Sequence, residues 1–161
     1  MGNLVDRQVI GESSSIGGSR HLSKEAAQAF EHTVTGNIVE ENGTSGVDLY
    51  KSSDNSLSGN VARDNTEYGI NLGGSSDNNE LTGNVAVSNG FDGQWGAGGF
   101  GMWGSTGNLF EGNTADDNAQ DGFNFSSSTA TTVLSNQANN NGRNGIGLYT
   151  DADGNEVSGN T

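Results

Sequence analysis

Asn55-Ser56-Leu57-Ser58-Gly59-Asn60-Val61-Ala62-Arg63-Asp64-Asn65-Thr66-Glu67-Tyr68-Gly69-Ile70-Asn71-Leu72 is one unit of a pattern that the chain repeats. The landmark asparagine of this unit, Asn60, recurs as Asn37, Asn84, Asn113, Asn136 and Asn160, at intervals of 23, 24, 29, 23 and 24 residues. Five residues after the first five landmarks stand Asn42, Asn65, Asn89, Asn118 and Asn141. Five residues before them stand Asn55, Asn79, Asn108 and Asn155, with His32 and Thr131 at the two remaining places. A fixed period of this length is the signature of a solenoid.

The apolar residues keep the same register. Val34, Leu57, Leu81, Phe110, Val133 and Val157 lie three residues before a landmark; Val39, Ala62, Ala86, Ala115 and Ala138 lie two after. Then come the alternating pairs Val47/Leu49, Ile70/Leu72, Phe100/Met102, Phe123/Phe125 and Ile146/Leu148. Alternation with a period of two marks strands, and these segments are too short for helices. Each unit therefore reads as two or three short strands joined by tight turns. Equivalent strands stack in parallel and bury the apolar residues in a narrow interior. Asparagine suits the corners, because it tolerates the left-handed backbone and its amide bonds backbone groups nearby or in the next coil. The fold expected is all-β: a single-stranded parallel β-helix over residues 32–161, of about five coils of 23–24 residues with one insertion.

Composition agrees with such a thin core. The 161 residues suffice for one domain, only 30% are apolar, and 27 glycines occur with no proline. The net charge of -14, with six Lys+Arg, argues against nucleic acid as a partner, since phosphates need a basic patch. There is no cysteine and so no thiolate chemistry. No apolar run approaches the ~18 residues of a membrane span. Residues 1–31 do not follow the repeat. Ser23 to Phe30 reads as a short helix with Ser23 as N-cap, so this segment is expected to be a cap or a degenerate first coil.

The pattern Asn-x-Val-Ser-Gly-Asn…Asn-x-x-x-Gly-Ile-x-Leu, carried by Asn55 to Leu72 and Asn155 to Asn160, resembles right-handed parallel β-helix repeats. These occur in the carbohydrate-binding and sugar-hydrolase, pectate-lyase-like superfamily. It includes mannuronan C-5 epimerases, periplasmic copper-site maturation proteins and phage tailspikes. The resemblance covers residues 32–161 and implies a right-handed coil. In the resembled families the substrate groove runs along the strand of the Gly-Φ-x-Φ-x segment, walled by the loops just before it.

In that strand the x residues point outward: Asp48 and Tyr50, Asn71 and Gly73, Gly101 and Trp103, Asn124 and Ser126, Gly147 and Tyr149. Aromatic rings among short polar groups suit a sugar chain, whose rings stack while its hydroxyls bond amides and carboxylates. The 29-residue interval carries its extra residues in Phe91 to Gly99, so Asp92, Gln94 and Trp95 would overhang this face, with Glu67 and Tyr68 a coil before and Gln120 and Asp121 a coil after. The substrate-binding candidates are Trp103, Trp95, Asn71, Asn124, Tyr50 and Gln94. Alternatively, Trp95 and Trp103 anchor the loop to the rod and shield apolar surface.

Catalysis is left open. Asp92, Asp48 and Asp121 are the candidate carboxylates, since glycoside hydrolysis needs two at a set separation. Lyase and epimerase chemistry of the resembled kind needs a base near the groove, and Lys51, Arg63, Arg143, Tyr68 and Tyr149 are available. The Asp-Pro-His motif of the epimerases is absent, since Gly90-Phe91-Asp92 runs on into Gly93-Gln94. His21 and His32 stand alone, which speaks against imidazole copper or zinc sites. Asp151 and Asp153 lie in an oxygen-rich turn, the candidate place for Ca²⁺; no other cofactor is expected.

The function expected is thus polysaccharide binding, or action on polysaccharide as a lyase, hydrolase or epimerase. The rival is a structural, adhesion or spike segment that serves as a rigid rod. An extracellular or cell-surface location is expected; the cytoplasm stays open, because no signal-peptide core stands at the N-terminus. Ser158 to Thr161 begin a new coil, so further coils or end-to-end self-association are expected.

Overall fold

The computed structural model describes residues 32–91 and 97–161. Each of the first four coils contributes three short strands. In the first coil these are β1 (Thr33–Thr35), β2 (Ile38–Glu40) and β3 (Val47–Tyr50). The second has β4 (Ser56–Ser58), β5 (Val61–Arg63) and β6 (Ile70–Gly73). The third has β7 (Glu80–Thr82), β8 (Val85–Val87) and β9 (Phe100–Trp103), and the fourth β10 (Leu109–Glu111), β11 (Thr114–Asp116) and β12 (Phe123–Ser126). Then come β13 (Thr132–Leu134), β14 (Ile146–Tyr149) and β15 (Glu156–Ser158). Like pairs with like, always in parallel, and three sheets result: β1-β4-β7-β10-β13-β15, β2-β5-β8-β11 and β3-β6-β9-β12-β14. The chain is a parallel β-helix, as the period demanded.

The corners follow one local rule. A residue in the left-handed region turns the chain, and a buried polar residue follows it. Gly59 (φ 61) precedes Asn60, Asp64 (φ 56) precedes Asn65, and Asn78 (φ 55) precedes Asn79. The left-handed residue turns the chain sharply, at a cost of roughly 1–2 kcal/mol for a residue with a β-carbon. The amide after it repays that cost in hydrogen bonds. Asn60 Oδ1 accepts from both Asn37 N–H and Asn37 Nδ2 (3.0 Å each). Its Nδ2 donates to Asn84 Oδ1 and back to Val34 O (2.9 Å each). Three such ladders run along the rod, through Asn60, Asn65 and Asn79. A fourth was not anticipated: Ser52, Ser76, Ser105 and Ser128, all buried, with Ser52 N–H donating to Ser76 Oγ (3.1 Å) and Ser76 N–H to Ser105 Oγ (3.0 Å).

The interior is apolar. Val34, Leu57, Leu81, Phe110 and Val133 pack from the first sheet, Val39, Ala62, Ala86 and Ala115 from the second, and the alternating pairs of β3, β6, β9 and β12 from the third, with Ile146 partly buried against them and Leu148 exposed. Alanine on one wall leaves room for large residues on the others, which keeps the thin core close-packed. In the third and fourth coils the filling is aromatic: Phe100 stacks on Phe123 (centroids 4.8 Å, 5° between planes), and Phe110 meets both edge-on. This block forms a stiff floor under the middle of the β3-β6-β9-β12-β14 sheet.

Candidate functional site

Parallel register turns the outward positions of that sheet into straight columns. Asp48, Asn71, Gly101, Asn124 and Gly147 form one; Tyr50, Gly73, Trp103, Ser126 and Tyr149 form the next. The loop before the strands adds a third, because the backbone bonds Gly46 to Tyr68, Gly69 to Gly98, Gly99 to Asp121 and Gly122 to Asn144. That column reads Ser45, Tyr68, Gly98, Asp121 and Asn144.

The aromatic rings lie along the face on glycines of neighbouring coils. Trp103 reaches back to Gly73, and Tyr50 reaches forward to Gly74. The two rings come within 6.3 Å of one another, tilted by 48°. Trp103 still shows 48% of its surface to solvent. Lys51 Nζ lies 5.5 Å from the Tyr50 ring centroid, a cation–π contact. The third coil has glycine at 98 and 101, and the Tyr68 ring occupies the space over Gly101.

The polar residues divide into two groups. In the first, Asn71 Nδ2 donates to Asp48 Oδ1 (2.9 Å). Burial pushes the Asp48 carboxyl above its ordinary range, the Asn71 bond pulls it down, and nearby Glu67 pushes it up again. Glu67 in turn accepts from Ser45 Oγ (3.5 Å). The other end of the Asn71 amide, Oδ1, is buried without a hydrogen-bond partner.

Asp121 centres the second group. It is fully buried and accepts from Asn124 Nδ2 (2.9 Å), Tyr149 Oη (2.9 Å), and both Asn144 N–H and Nδ2 (3.0 Å each). Arg143 Nη1 stands 3.6 Å from its Oδ2. Burial, Asp121 and Glu67 together raise the Tyr68 phenol to about 12. Burial and the bond to Asp121 raise Tyr149 as well.

Asp48, Asn71, Tyr50 and Trp103 thus share one stretch of the face, while Asn124 turns its amide to Asp121. Asp92, Gln94 and Trp95 lie outside the described residues, as does the expected N-terminal helix. Asp48 and Asp121 sit three coils apart, roughly 14 Å at the ~4.8 Å strand spacing, beyond the ~5–9.5 Å that separates glycosidase carboxylates. Asp151 and Asp153 are exposed, and no cluster of three His, Cys, Asp or Glu side chains forms a metal site among the described residues. The sequence reading missed the Asn144 and Arg143 contacts to Asp121. It also missed the serine ladder, although Ser52, Ser76, Ser105 and Ser128 recur at 24, 29 and 23 residues, in step with the asparagines.

Comparison with known proteins defines the class. Residues 91–161 match the family model described as right handed beta helix region, and residues 21–95 match that of the periplasmic copper-binding protein NosD. The fold is therefore a right-handed parallel β-helix, as the pectate-lyase-like resemblance implied. Among solved structures it is similar to the periplasmic alginate epimerase AlgG (TM-score 0.65, 20% identity, 73% of this chain and 27% of that one). It is also similar to the A-module of the Azotobacter vinelandii mannuronan C-5 epimerase AlgE4 (TM-score 0.62, 21% identity, 78% and 36%). A third likeness is to the enzymatically active domain of tailspike protein 2 of bacteriophage CBA120 (TM-score 0.60, 17% identity, 74% and 20%). The chain spans about a third or less of each. No curated protein matches the sequence significantly.

The donor set does not fit copper. Copper sites draw on imidazole, thiolate and thioether groups. The chain has no cysteine, and among the described residues only His32 and Met102 are of the other two kinds. Met102 is sealed in the core with Asn108 Nδ2 on its sulfur (3.2 Å).

Proposed function

We propose that this chain is a polysaccharide-binding β-helix module that holds a glycan along the outward face of the β3-β6-β9-β12-β14 sheet. The observation that carries the reading is the Tyr50–Trp103 pair, 6.3 Å apart, with Trp103 half exposed beside the Asp48–Asn71 column. Such a pair offers a sugar ring an apolar platform, and the adjacent column offers its hydroxyls polar partners. The 91–99 segment, inserted in the repeat before β9, supplies Asp92, Gln94 and Trp95 as further candidate binding residues. The names of the alginate epimerase, the mannuronan epimerase and the tailspike's active domain support a carbohydrate-related role, and a periplasmic or extracellular location goes with it.

The test is a glycan array probed with the wild-type chain and with Trp103→Ala, in Ca²⁺ and in chelator. Binding that Trp103→Ala abolishes supports the site. Binding unchanged by that substitution sinks it. A dependence on Ca²⁺ supports a Ca²⁺ site at the Asp151 and Asp153 turn.

A second reading is a rigid structural rod. It is favoured by the way the aromatic rings pack onto Gly73, Gly74 and Gly147, which covers backbone as an anchor would. In this reading the half-exposed Leu148 (45%) and Val157 (42%) of the last coil pack against a second copy of the chain. Light scattering that shows a monomer at every concentration excludes that association.

A further inference from the structure

Resting on the polysaccharide reading, the hydrogen-bond polarity of the face narrows the class of sugar. Each amide of the face gives a hydrogen to one of its own carboxylates. Asn71 Nδ2 goes to Asp48, and Asn124 Nδ2 and Asn144 Nδ2 go to Asp121. The Tyr149 hydroxyl donates to Asp121 as well. Of the two basic residues near the face, Arg143 pairs with Asp121 at 3.6 Å and Lys51 sits over the Tyr50 ring.

What the face offers a ligand is acceptors. Asp48 takes the Asn71 amide on Oδ1, and Glu67 lies close enough to raise the Asp48 carboxyl. Asn71 Oδ1 is buried and accepts nothing. Its amide cannot turn over to cure this, because Nδ2 must face the Asp48 carboxylate. The bare oxygen lies beside Gly101 and the Tyr68 ring: a β-carbon at 101 would stand 2.7 Å from one and 2.5 Å from the other. An acceptor in that position calls for a donor, since buried polar groups are satisfied as a rule.

Charge points the same way. Asp48, Glu67 and Asp121 outnumber Lys51 and Arg143, and the whole chain carries -14. A carboxylate or sulfate on a sugar brings only acceptors and more negative charge. The amides of Asn71, Asn124 and Asn144 already bond the face's own carboxylates and the Arg143 guanidinium stands against Asp121, so the anion meets a face of its own sign, and like charges across an interface disfavour a partner.

We infer that the groove selects glycans that donate hydrogen bonds and carry no anionic groups, that is, neutral or amino-sugar chains, and rejects uronates and sulfated chains. Tyr68, in the loop before β6, is the residue that yields when a sugar hydroxyl or ammonium reaches Asn71 Oδ1.

The experiment sorts array hits from the full chain into neutral, amino-sugar, uronate and sulfated classes, then titrates one hexasaccharide of each class by calorimetry. The expected result is binding by neutral or amino-sugar chains at least about tenfold tighter than by any anionic chain, close to 1.4 kcal/mol. Loss of binding in added salt identifies an ammonium as the donor, and indifference to salt identifies hydroxyls. Asp48→Asn with Glu67→Gln, checked for fold by circular dichroism, narrows the gap to the uronate. A uronate or sulfated chain that binds wild type as tightly as the others, with or without Ca²⁺, overturns the inference and leaves the polysaccharide reading standing. Silence from all four classes overturns the reading itself.

Discussion

The indole of Trp103 rests against Gly73 of the preceding coil, so closely that a β-carbon at 73 would lie 2.8 Å from the indole Nε1 and Cε2. Glycine at 73 thus sets where the half-exposed ring can lie. Gly73→Ala is expected to push the ring off the face at little cost in stability, because the obstructed atoms are the far end of a side chain. In a Trp95→Phe background, Trp103 fluorescence should shift to the red and glycan binding should fall as far as in Trp103→Ala. An unchanged spectrum would mean that the ring is not held there.

The asparagine ladders predict a gradient of sensitivity. Asn113 sits mid-ladder, with Oδ1 accepting from Asn84 N–H (2.9 Å) and Nδ2 (3.0 Å) and its own Nδ2 donating to Leu81 O and Asn136 Oδ1. Asn113→Ala strands several buried groups and should cost about 3 kcal/mol or more. Asn37, part-exposed in the first coil, should cost under about 1 kcal/mol when changed to alanine. Thermal melts of the two variants compare them directly, and equal losses would refute the ladder as a main source of stability.

Tyr68 predicts an alkaline limit. Its phenol is raised from 10.0 to about 12 by burial, Asp121 and Glu67. The folded chain therefore holds a proton that the unfolded chain gives up first. The favourable contribution is complete below about pH 10 and is lost as pH climbs towards about 12, a fall of about 2–3 kcal/mol. Melts across this range should show a decline that Tyr68→Phe reduces. A variant that declines in parallel with the wild type would assign the effect to other groups.

Asp48 predicts a stabilising substitution. Burial raises its carboxyl, so the native state keeps the proton to higher pH than the unfolded state does, and stability falls as pH rises through that window. Asp48→Asn retains an oxygen for Asn71 Nδ2 and removes the buried charge. It should melt higher than the wild type at pH 7, and the gap should close in acid below the usual carboxylate range of about 4. A lower melting point at pH 7 would contradict the burial cost.

The fold was legible because its determinants are local and repeat. Each landmark asparagine marks a corner, each alternating pair marks a strand, and five near-copies make the register of Asp48 with Asn71 and Tyr50 with Gly73 a matter of counting. The outward face followed from the same count. The Asp121 cluster did not, because it depends on side chains turning along the rod. Tyr149 folds over Gly147 to reach a carboxylate one coil away, and no spacing rule announces that. Asn71 and Asn124 looked equivalent in the column, yet Asn71 bonds Asp48 in its own column while Asn124 bonds Asp121 in another. Which partner an amide finds is decided by rotamer and by what the neighbouring coil leaves vacant.

The ladders also act as a gauge for growth. From Asn65 to Ile70, Asn118 to Phe123 and Asn141 to Ile146 the chain takes five steps; from Asn89 to Phe100 it takes eleven. The six added residues leave the rungs Asn79–Asn108, Asn84–Asn113 and Asn89–Asn118 intact, and Phe100 still pairs with Ile70. The segment after the third asparagine of a coil is thus a splice point, where new sequence is admitted without disturbing the stack. The equivalent segments 43–45, 66–68, 119–121 and 142–144 open onto the same side of the molecule. A lineage, or an engineer, has at these places a row of insertion ports along one edge of the β3-β6-β9-β12-β14 sheet.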